Sequence, residues 1–240
     1  MESSMRYLQD EIPCGIHAFG APAASPSPLF IYPVGGDAAE MIEGLHERLD
    51  PTPKRKSSLR FTLVTFETPD WNGSLSPWPA PPLQRGDSEF TGDARATLGW
   101  ILERLIPGVE ARAPGVIGAA RGMLGYSMAG LFALWALYQT EAFAICGSCS
   151  GALWYDGFAD YVANNAPARP CSVYLSLGGR EERARDPRLA RVGADTKRIA
   201  AQLASSPLVK DSTFVLHPGG HFTSTGDRRA AALAWMARRV

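Results

Sequence analysis

The stretch that most constrains how this chain folds covers residues 123–131, with the sequence MLGYSMAGL. It predicts the end of a buried strand, a turn of small residues around Ser127, and an apolar helix over residues 131–138. Gly125 and Ala129 flank the serine, and only small side chains let a strand and the next helix approach so closely. The pattern therefore predicts a sharp strand-to-helix turn that presents one serine.

A serine at such a turn is typical of the nucleophile elbow of α/β-hydrolases, where a strained backbone exposes the hydroxyl group. The usual elbow has glycine two residues after the serine, whereas here Ala129 stands there and Gly130 follows. We expect the extra methyl group to be tolerated. The alternative is a serine that only caps a core helix, and the rest of the sequence decides between the two.

Length and charge limit the kind of protein this is. With 240 residues and 45% hydrophobic content, the chain can form one sizeable core, and we expect a single domain over residues 1–240. Lys+Arg and Asp+Glu both number 24, so the net charge is zero. Because no excess of basic residues attracts nucleic acid or an anionic membrane, we expect neither as a partner.

Targeting signals and cysteines indicate the compartment. The N-terminal sequence MESSMR lacks the basic start and apolar run of a signal peptide, and no segment is apolar enough to span a bilayer. The four cysteines are at positions 14, 146, 149 and 171. Without an export signal we expect reduced thiols rather than disulfides, and a cytoplasmic protein.

Strands and helices alternate along the sequence. The predicted strands cover residues 15–19, 29–32, 60–66, 122–125, 143–147, 172–177 and 212–216, and the predicted helices cover 38–49, 94–106, 131–138, 157–164, 194–204 and 230–239. Residues 50–58 read as a solvated connector and residues 67–91 as a long proline-rich loop. This alternation predicts an α/β fold with a mainly parallel, doubly wound sheet flanked by helices.

A serine nucleophile needs a histidine base, and α/β-hydrolases supply it after the last strand. His221 follows the last predicted strand in the sequence PGGHF, where the glycines let the loop bend back towards Ser127. His217, at the end of that strand, is the weaker alternative. His46 is expected to be a solvated helix residue, and His17 precedes the elbow.

The histidine in turn needs a carboxylate, and this acid is expected just after the penultimate strand. There the sequence LSLGGREE places Glu181 three residues after a glycine. Glu182 is the neighbour that could serve instead, and Asp186 is a weaker third choice. A merely solvated charged loop is the alternative to any of them.

The oxyanion hole is expected to combine the backbone N–H of Met128 with one from Gly35 or Gly36, which follow an earlier strand. No cofactor is needed for this chemistry, and no metal-ligand spacing or phosphate loop is present in the sequence. The pair Cys146 and Cys149 matches a redox C-x-x-C pattern, but it lies in a predicted strand past the elbow.

Aromatic residues indicate where the substrate binds. Trp71 and Trp78 lie in the long loop, and Trp154 follows the strand after the elbow helix. We expect Trp71 or Trp78, with Trp154, near Ser127, and Tyr126 beside the serine completes the predicted substrate-binding set. Residues 148–170 are too few for a lid domain with its own core, so we expect an open site with the long loop as part of its wall.

Several segments together resemble a known family. They occur in this order: GYSMAGLFAL at 125–134, CSGALWY at 149–155, LSLGGREE at 175–182 and GGHF at 219–222. They are similar to the Putative esterase family of α/β-hydrolases, related to esterase D and to siderophore trilactone esterases, and residues 70–72 and 76–79 resemble an uncharacterised bacterial branch. The resemblance covers most of the chain from about residue 28. It implies an α/β-hydrolase fold and a serine esterase with Ser127, Glu181 and His221, and it leaves the substrate open.

The sequence thus predicts a serine carboxylic-ester hydrolase that acts on a small-molecule ester. An acyltransferase or thioesterase could use the same three residues, and would differ only in the nucleophile or leaving group that its pocket admits. A binding protein that kept the fold is the remaining alternative. The intact order of serine, acid and histidine argues against it, because a binding protein needs none of the three.

Overall fold

A computed structural model describes residues 4–36, 38–50 and 59–240. The connector predicted at residues 50–58 lies, apart from Asp50, outside the described residues. The strands are β1 (Ser4–Gln9), β2 (Ile12–Phe19), β3 (Leu29–Val34), β4 (Phe61–Glu67), β5 (Arg121–Tyr126), β6 (Ile145–Cys149), β7 (Cys171–Gly178) and β8 (Val209–His217). The helices are α1 (Ala39–Leu49), α2 (Ala94–Trp100), α3 (Ile106–Arg112), α4 (Met128–Ala136), α5 (Phe158–Asn164), α6 (Pro187–Ala190), α7 (Val192–Ser205) and α8 (Thr225–Ala237).

The strands form one sheet in the order β1-β2-β4-β3-β5-β6-β7-β8. The pairs β1–β2 and β2–β4 are antiparallel, and every later pair is parallel. Strands β3 to β7 are almost wholly buried, as expected of parallel strands covered on both faces. The predicted mainly parallel α/β sheet is confirmed. Its parallel strands bring the loops after β3, β5, β7 and β8 to one edge.

The N-terminal hairpin was absent from the sequence prediction, which began the first strand at Gly15. Strand β1 pairs with β2 through a two-residue turn at Asp10 and Glu11, whose φ angles are 50° and 67°. Two-residue hairpin turns usually have the sequence Asn-Gly or Asp-Gly, from which they can be predicted. Because neither turn residue is glycine, the sequence carries no such signal.

The helix predicted at residues 94–106 runs on further than expected. After α2 the backbone forms a π-helical segment, Ile101–Leu105, and then continues as α3 to Arg112. Pro107 lies in the first turn of α3 instead of ending the helix. The π-helical turn shifts the hydrogen-bond register directly before Pro107, and proline is tolerated in the first turn of a helical segment.

None of the helices in the described parts of the chain is long and apolar enough to cross a membrane. The long loop predicted at residues 67–91 is confirmed as irregular backbone, with one isolated β-bridge between Ala80 and Phe90. All four cysteines are buried and none forms a disulfide with another.

Candidate active site

Ser127 lies between the end of β5 and the start of α4, in a backbone conformation with φ 60° and ψ −124°. Side chains other than glycine rarely adopt positive φ, and such strain is concentrated at functional sites. A Cβ atom on Gly125 would overlap the carbonyl group of Ala129, so this position admits only glycine. The methyl group of Ala129 is itself fully buried without displacing the turn. The predicted strand-to-helix turn around the serine is therefore present.

His221 and Glu181 come together from two different loops at the same edge of the sheet. Glu181 opens a short 3₁₀ turn after β7, and His221 lies in the loop between β8 and α8. His221 Nδ1 is 2.7 Å from Glu181 Oε2. The side chain of Glu181 is 5% exposed and that of His221 is 31% exposed. A carboxylate at this distance fixes the imidazole in one tautomer and orientation.

The second carboxylate oxygen of Glu181 accepts several hydrogen bonds from buried groups. Glu181 Oε1 accepts hydrogen bonds from Ser150 Oγ at 2.7 Å and from the backbone N–H of Gly178 at 2.6 Å. Burial by itself would raise the pKa of this carboxyl group, but the hydrogen bonds from His221, Ser150 and Gly178 outweigh burial and leave the pKa below its usual value. Glu181 is therefore ionised at neutral pH.

Arg228 is a residue of this site that the sequence analysis missed. Its side chain is fully buried, and Nη1 donates to Glu181 Oε1 at 3.0 Å, to Ser150 Oγ at 2.7 Å and to Tyr126 Oη at 3.2 Å. Nη2 donates to the carbonyl groups of Pro218 and Gly220 at 3.2 and 2.8 Å. In sequence this arginine is one of two at the start of a helix, with nothing to distinguish it from a solvated residue.

The alternative acids lie elsewhere. Glu182 is exposed and its Oε2 lies 3.4 Å from Lys197 Nζ. Asp186 accepts hydrogen bonds from the backbone N–H groups of Arg188 and Leu189 and so caps α6. Of the three candidate carboxylates, Glu181 is the one that contacts His221.

The other histidines have different surroundings. His217 ends β8, and its Nε2 is buried with no hydrogen-bond partner among the described residues. His17 is buried and is joined to Ser4 and Thr65 by hydrogen bonds of 3.0 and 3.1 Å. His46 contacts Asp50 and stacks on Phe19, so it is not the freely solvated residue expected from the sequence.

Two adjoining cavities open beside Ser127. The larger, of about 520 Å³, is lined by Tyr32, Val34, Gly35, Gly36, Ala38, Met41, Trp71, Tyr126, Ser127, His221, Phe222, Thr225 and Arg229. The smaller, of about 290 Å³, is lined by Trp71, Asn72, Leu83, Phe90, Ser127, Met128, Ser150, Gly151, Trp154, Glu181, Ala184, Leu189, Val192, His221 and Phe222. Both cavities include Ser127 and His221, although the hydrogen bonds of the described residues do not include one between these two side chains.

The long loop contributes to the wall of both cavities, but not through every predicted tryptophan. Trp71 lines both, Trp154 lines the smaller, and Phe222, which is 88% exposed, stands at the rim of both. Trp78 lines neither cavity, so its inclusion in the predicted substrate-binding set is corrected. Its ring packs on Tyr155, Phe158 and Tyr161, and its Nε1 donates to the carbonyl group of Asp156 at 3.0 Å.

Backbone donors are available next to the serine. Gly35 and Gly36 line the larger cavity, and Met128, the first residue of α4, lines the smaller. The backbone N–H groups of these three residues form no hydrogen bond within the described parts of the chain. A Cβ on Gly35 would lie 3.4 Å from the Trp71 ring, so this tryptophan closes over the glycine turn. Donors so placed can stabilise negative charge on a bound carbonyl oxygen.

The C-x-x-C pair does not form a second reactive site. Cys146 and Cys149 are fully buried in β6, and burial raises the pKa of the Cys146 thiol well above its usual value and that of Cys149 to about 11. Thiols that stay protonated are poor nucleophiles and poor metal ligands. Within the described ranges, no group of three or more histidine, cysteine, aspartate or glutamate side chains could hold a metal ion.

Comparison of the sequence with protein families matches residues 56–224 to the family described as Putative esterase. A Bacillus subtilis (strain 168) protein described as "Uncharacterized protein YbbA" is 25% identical over 183 residues, which cover 73% of this chain and 71% of that protein.

Solved structures show the same fold. The siderophore hydrolase EstB from Aspergillus nidulans superposes with a TM-score of 0.78 at 18% identity, covering 99% of this chain and 96% of that one. An IroE-like serine hydrolase from Shewanella oneidensis superposes with a TM-score of 0.78 at 15% identity, covering 98% of this chain and 79% of that one. The family match extends over most of the chain, and the fold agrees with it. The chain therefore belongs to the Putative esterase family and is a carboxylic ester hydrolase with the α/β-hydrolase fold.

Proposed function

We propose that this enzyme is a serine hydrolase of small-molecule esters whose catalytic triad is Ser127, His221 and Glu181. The observation that carries the proposal is the 2.7 Å contact between His221 Nδ1 and Glu181 Oε2, made in the same cavity as a serine held at φ 60°. A strained serine, a histidine oriented by a buried carboxylate, and unused backbone donors are the three parts that acyl transfer requires.

In the proposed reaction, Glu181 occupies Nδ1 of His221 and leaves Nε2 free to accept the proton of Ser127. The serine oxygen then attacks the ester carbonyl carbon, and the negative charge on the carbonyl oxygen is held by the N–H of Met128 with that of Gly35 or Gly36. The hydrogen bond between Ser127 and His221 forms as the substrate binds, since such contacts are often long before that step.

The tetrahedral intermediate then collapses. His221 returns its proton to the departing alcohol, which leaves the acyl group bonded to Ser127. A water molecule, deprotonated by His221, attacks this acyl-enzyme. The carboxylic acid departs as Ser127 regains its proton, so atoms and charge balance over the cycle.

The substrate class is proposed from the site and from the relatives. The two cavities that Ser127 lines offer about 520 and 290 Å³, which is room for a compact acyl group and an alcohol of moderate size. Several structural neighbours are named as siderophore hydrolases or as enterobactin or enterochelin esterases, so a trilactone belongs among the first substrates to test.

The test is a comparison of Ser127→Ala with Ser205→Ala, an exposed serine at the end of α7. Both proteins are assayed on p-nitrophenyl acetate and butyrate, a thioester, and a trilactone, and are labelled with a fluorophosphonate. We expect Ser127→Ala to fold normally by circular dichroism, lose about a thousandfold or more in kcat, and escape labelling. Near wild-type turnover by Ser127→Ala would overturn the proposal. If the wild type hydrolyses only the thioester, the proposed activity is thioester hydrolysis and not ester hydrolysis.

A further inference from the structure

Arg229 is a cation in the larger cavity with no acidic partner among the described residues. It follows the buried Arg228 on α8, but its side chain lines the larger cavity and is half-buried. Arg228 is matched by Glu181. For Arg229, the described residues offer no carboxylate within salt-bridge distance, and none of the described residues that line the larger cavity is acidic. Within the described parts of the chain, the positive charge of Arg229 in this cavity therefore has no carboxylate to balance it.

The guanidinium is held firmly in place by neutral groups. Arg229 Nε donates to Tyr32 Oη at 2.6 Å, and the guanidinium carbon lies 4.6 Å above the centre of the Tyr126 ring. Burial raises the pKa of Tyr32 to about 12, although the nearby Arg229 acts to lower it, so this hydroxyl remains neutral and supplies no negative charge. Two contacts thus fix the orientation of the side chain without neutralising it.

The outer fork of the guanidinium remains available. Of the five donors of an arginine, only Nε–H forms a hydrogen bond with a described residue, and neither Nη atom does. A fork of this shape matches the two oxygens of a carboxylate. Thr225, one helical turn before Arg229, lines the same cavity and offers a hydroxyl group alongside.

The position of this fork relates it to the reaction. Arg229 stacks on Tyr126, the residue directly before Ser127, and both line the cavity that contains Gly35 and Gly36. Because Ser127 lines this cavity too, one substrate molecule in it can contact both the fork and the serine. Arg229 also lies beyond residues 56–224, the segment that matches the family, so it is a feature of this chain outside that match.

We infer that Arg229 binds a carboxylate carried by the ester substrate, and that it selects anionic esters over neutral ones of the same shape. The inference rests on the proposed function, because it assigns part of the same substrate. The carboxylate can be on the acyl or the alcohol side of the ester, and matched substrates distinguish these two cases.

The experiment measures binding and turnover separately. Monoethyl adipate and ethyl hexanoate form a pair that differs by a carboxylate on the acyl side, and para-acetoxybenzoate and para-acetoxybenzamide form a pair that differs on the alcohol side. Binding of each ester is measured by calorimetry on Ser127→Ala, with and without Arg229→Gln. Turnover of each is measured for the wild type and for Arg229→Gln and Arg229→Lys.

For at least one pair, we expect the anionic ester to bind about tenfold or more tightly than its neutral match, and Arg229→Gln to remove that ratio. Arg229→Lys should retain part of it, because the charge remains while the fork is lost. The matched control is Arg239→Gln, since Arg239 also stacks on an aromatic ring, Trp235 at 3.9 Å, but lines neither cavity. This control should keep the wild-type ratio.

Equal ratios with and without Arg229→Gln would overturn the inference and leave Arg229 as a brace for Tyr32 and Tyr126. A structural brace would change the affinity for both members of a pair alike, so the ratio separates the two roles. Because binding to Ser127→Ala needs no turnover, a failure of the proposed function would appear separately, as wild-type protein that binds these esters without hydrolysing them.

Discussion

Arg228 Nη1 lies 3.0 Å from Glu181 Oε1, and the side chains of this ion pair are 0% and 5% exposed. The same guanidinium donates through Nη2 to the carbonyl groups of Pro218 and Gly220, within the three residues before His221. One buried cation therefore holds both the carboxylate and the loop that carries the imidazole. Arg228 contacts no reacting atom in the proposed mechanism, so we regard it as a positioning residue.

The first prediction concerns Arg228→Met, which removes the cation and keeps most of its volume. We expect the free energy of unfolding to fall by about 3–5 kcal/mol, because one partner of a buried ion pair is left uncompensated. The bare carboxylate of Glu181 should also hold the imidazole proton more tightly. The acid limb of the kcat/KM profile should then move to higher pH. Urea unfolding and a pH–rate profile measure the two effects.

The pH profile separates positioning from mere destabilisation. A purely structural role for Arg228 would lower kcat/KM by the same factor at every pH, and the limb would stay in place. Combining Arg228→Met with Glu181→Gln provides the second control. If the two groups act on each other, the double variant should be less destabilised than the sum of the single variants.

The second prediction compares Glu181→Gln with Glu182→Gln. An amide at position 181 cannot stabilise an imidazolium, and we expect kcat to fall by about a hundredfold to ten-thousandfold. Glu182 is 48% exposed and faces Lys197 at 3.4 Å, so its neutral variant should stay within about twofold of wild type. A larger loss in Glu182→Gln would reverse the assignment of the acid.

Local patterns in the sequence were sufficient to predict the parts of the site that are formed by neighbouring residues. The elbow around Ser127 is defined by small residues within four positions, and the mainly parallel sheet follows from strands alternating with helices. His221 and Glu181 were predicted because each follows a strand whose carboxyl end meets the same edge of the sheet. These are short-range signals combined with one general property of parallel sheets.

Residues whose role depends on a distant partner were not predictable in this way. Arg228 is 47 residues from Glu181 in sequence, and no local pattern links them. Trp78 was expected in the pocket because it is an aromatic residue of the long loop, but its ring packs beside α5 and not beside Ser127. The turn at Asp10 and Glu11 was not predicted for a different reason. Both residues have positive φ angles although neither is glycine, so the local sequence does not indicate the turn.

The third prediction compares the two tryptophans of the long loop. Trp71 lines both cavities, so Trp71→Ala should raise KM for bulky esters. It should lower the free energy of unfolding less than Trp78→Ala does. Trp78 packs among Tyr155, Phe158 and Tyr161, so Trp78→Ala should reduce the free energy of unfolding by about 3 kcal/mol or more. Its kcat/KM per folded molecule should change little. Thermal melting and steady-state kinetics on both variants check this, and an unchanged KM in Trp71→Ala would contradict it.

The last prediction concerns acid stability and depends on His17. This residue of β2 is 5% exposed, and burial, with smaller contributions from His46 and Arg6, lowers its pKa from 6.5 to about 4. The folded protein thus keeps His17 neutral, whereas the unfolded chain binds a proton below pH 6.5. Stability that is present above pH 6.5 should be lost as the pH falls towards 4, by at most about 3 kcal/mol.

Glu181 also makes the folded protein less stable as the pH falls, but over a lower pH range than His17 does. Its pKa is below the usual 4.5 in the folded protein, so its contribution is present above pH 4.5 and is lost only below that value. The slope of stability between pH 6.5 and 4.5 should therefore come mainly from His17. His217, whose pKa is also lowered by burial, is the histidine to compare with it.

The measurement is the urea midpoint at pH 7 and at pH 4.5 for wild type, His17→Gln and His217→Gln. We expect His17→Gln to flatten the difference between the two midpoints, because glutamine can keep polar contacts with Ser4 and Thr65 but takes up no proton. His217→Gln should retain most of the wild-type difference, since His217 is closer to solvent. An equal pH dependence in wild type and His17→Gln would mean that the buried imidazole is not what makes the folded state sensitive to acid.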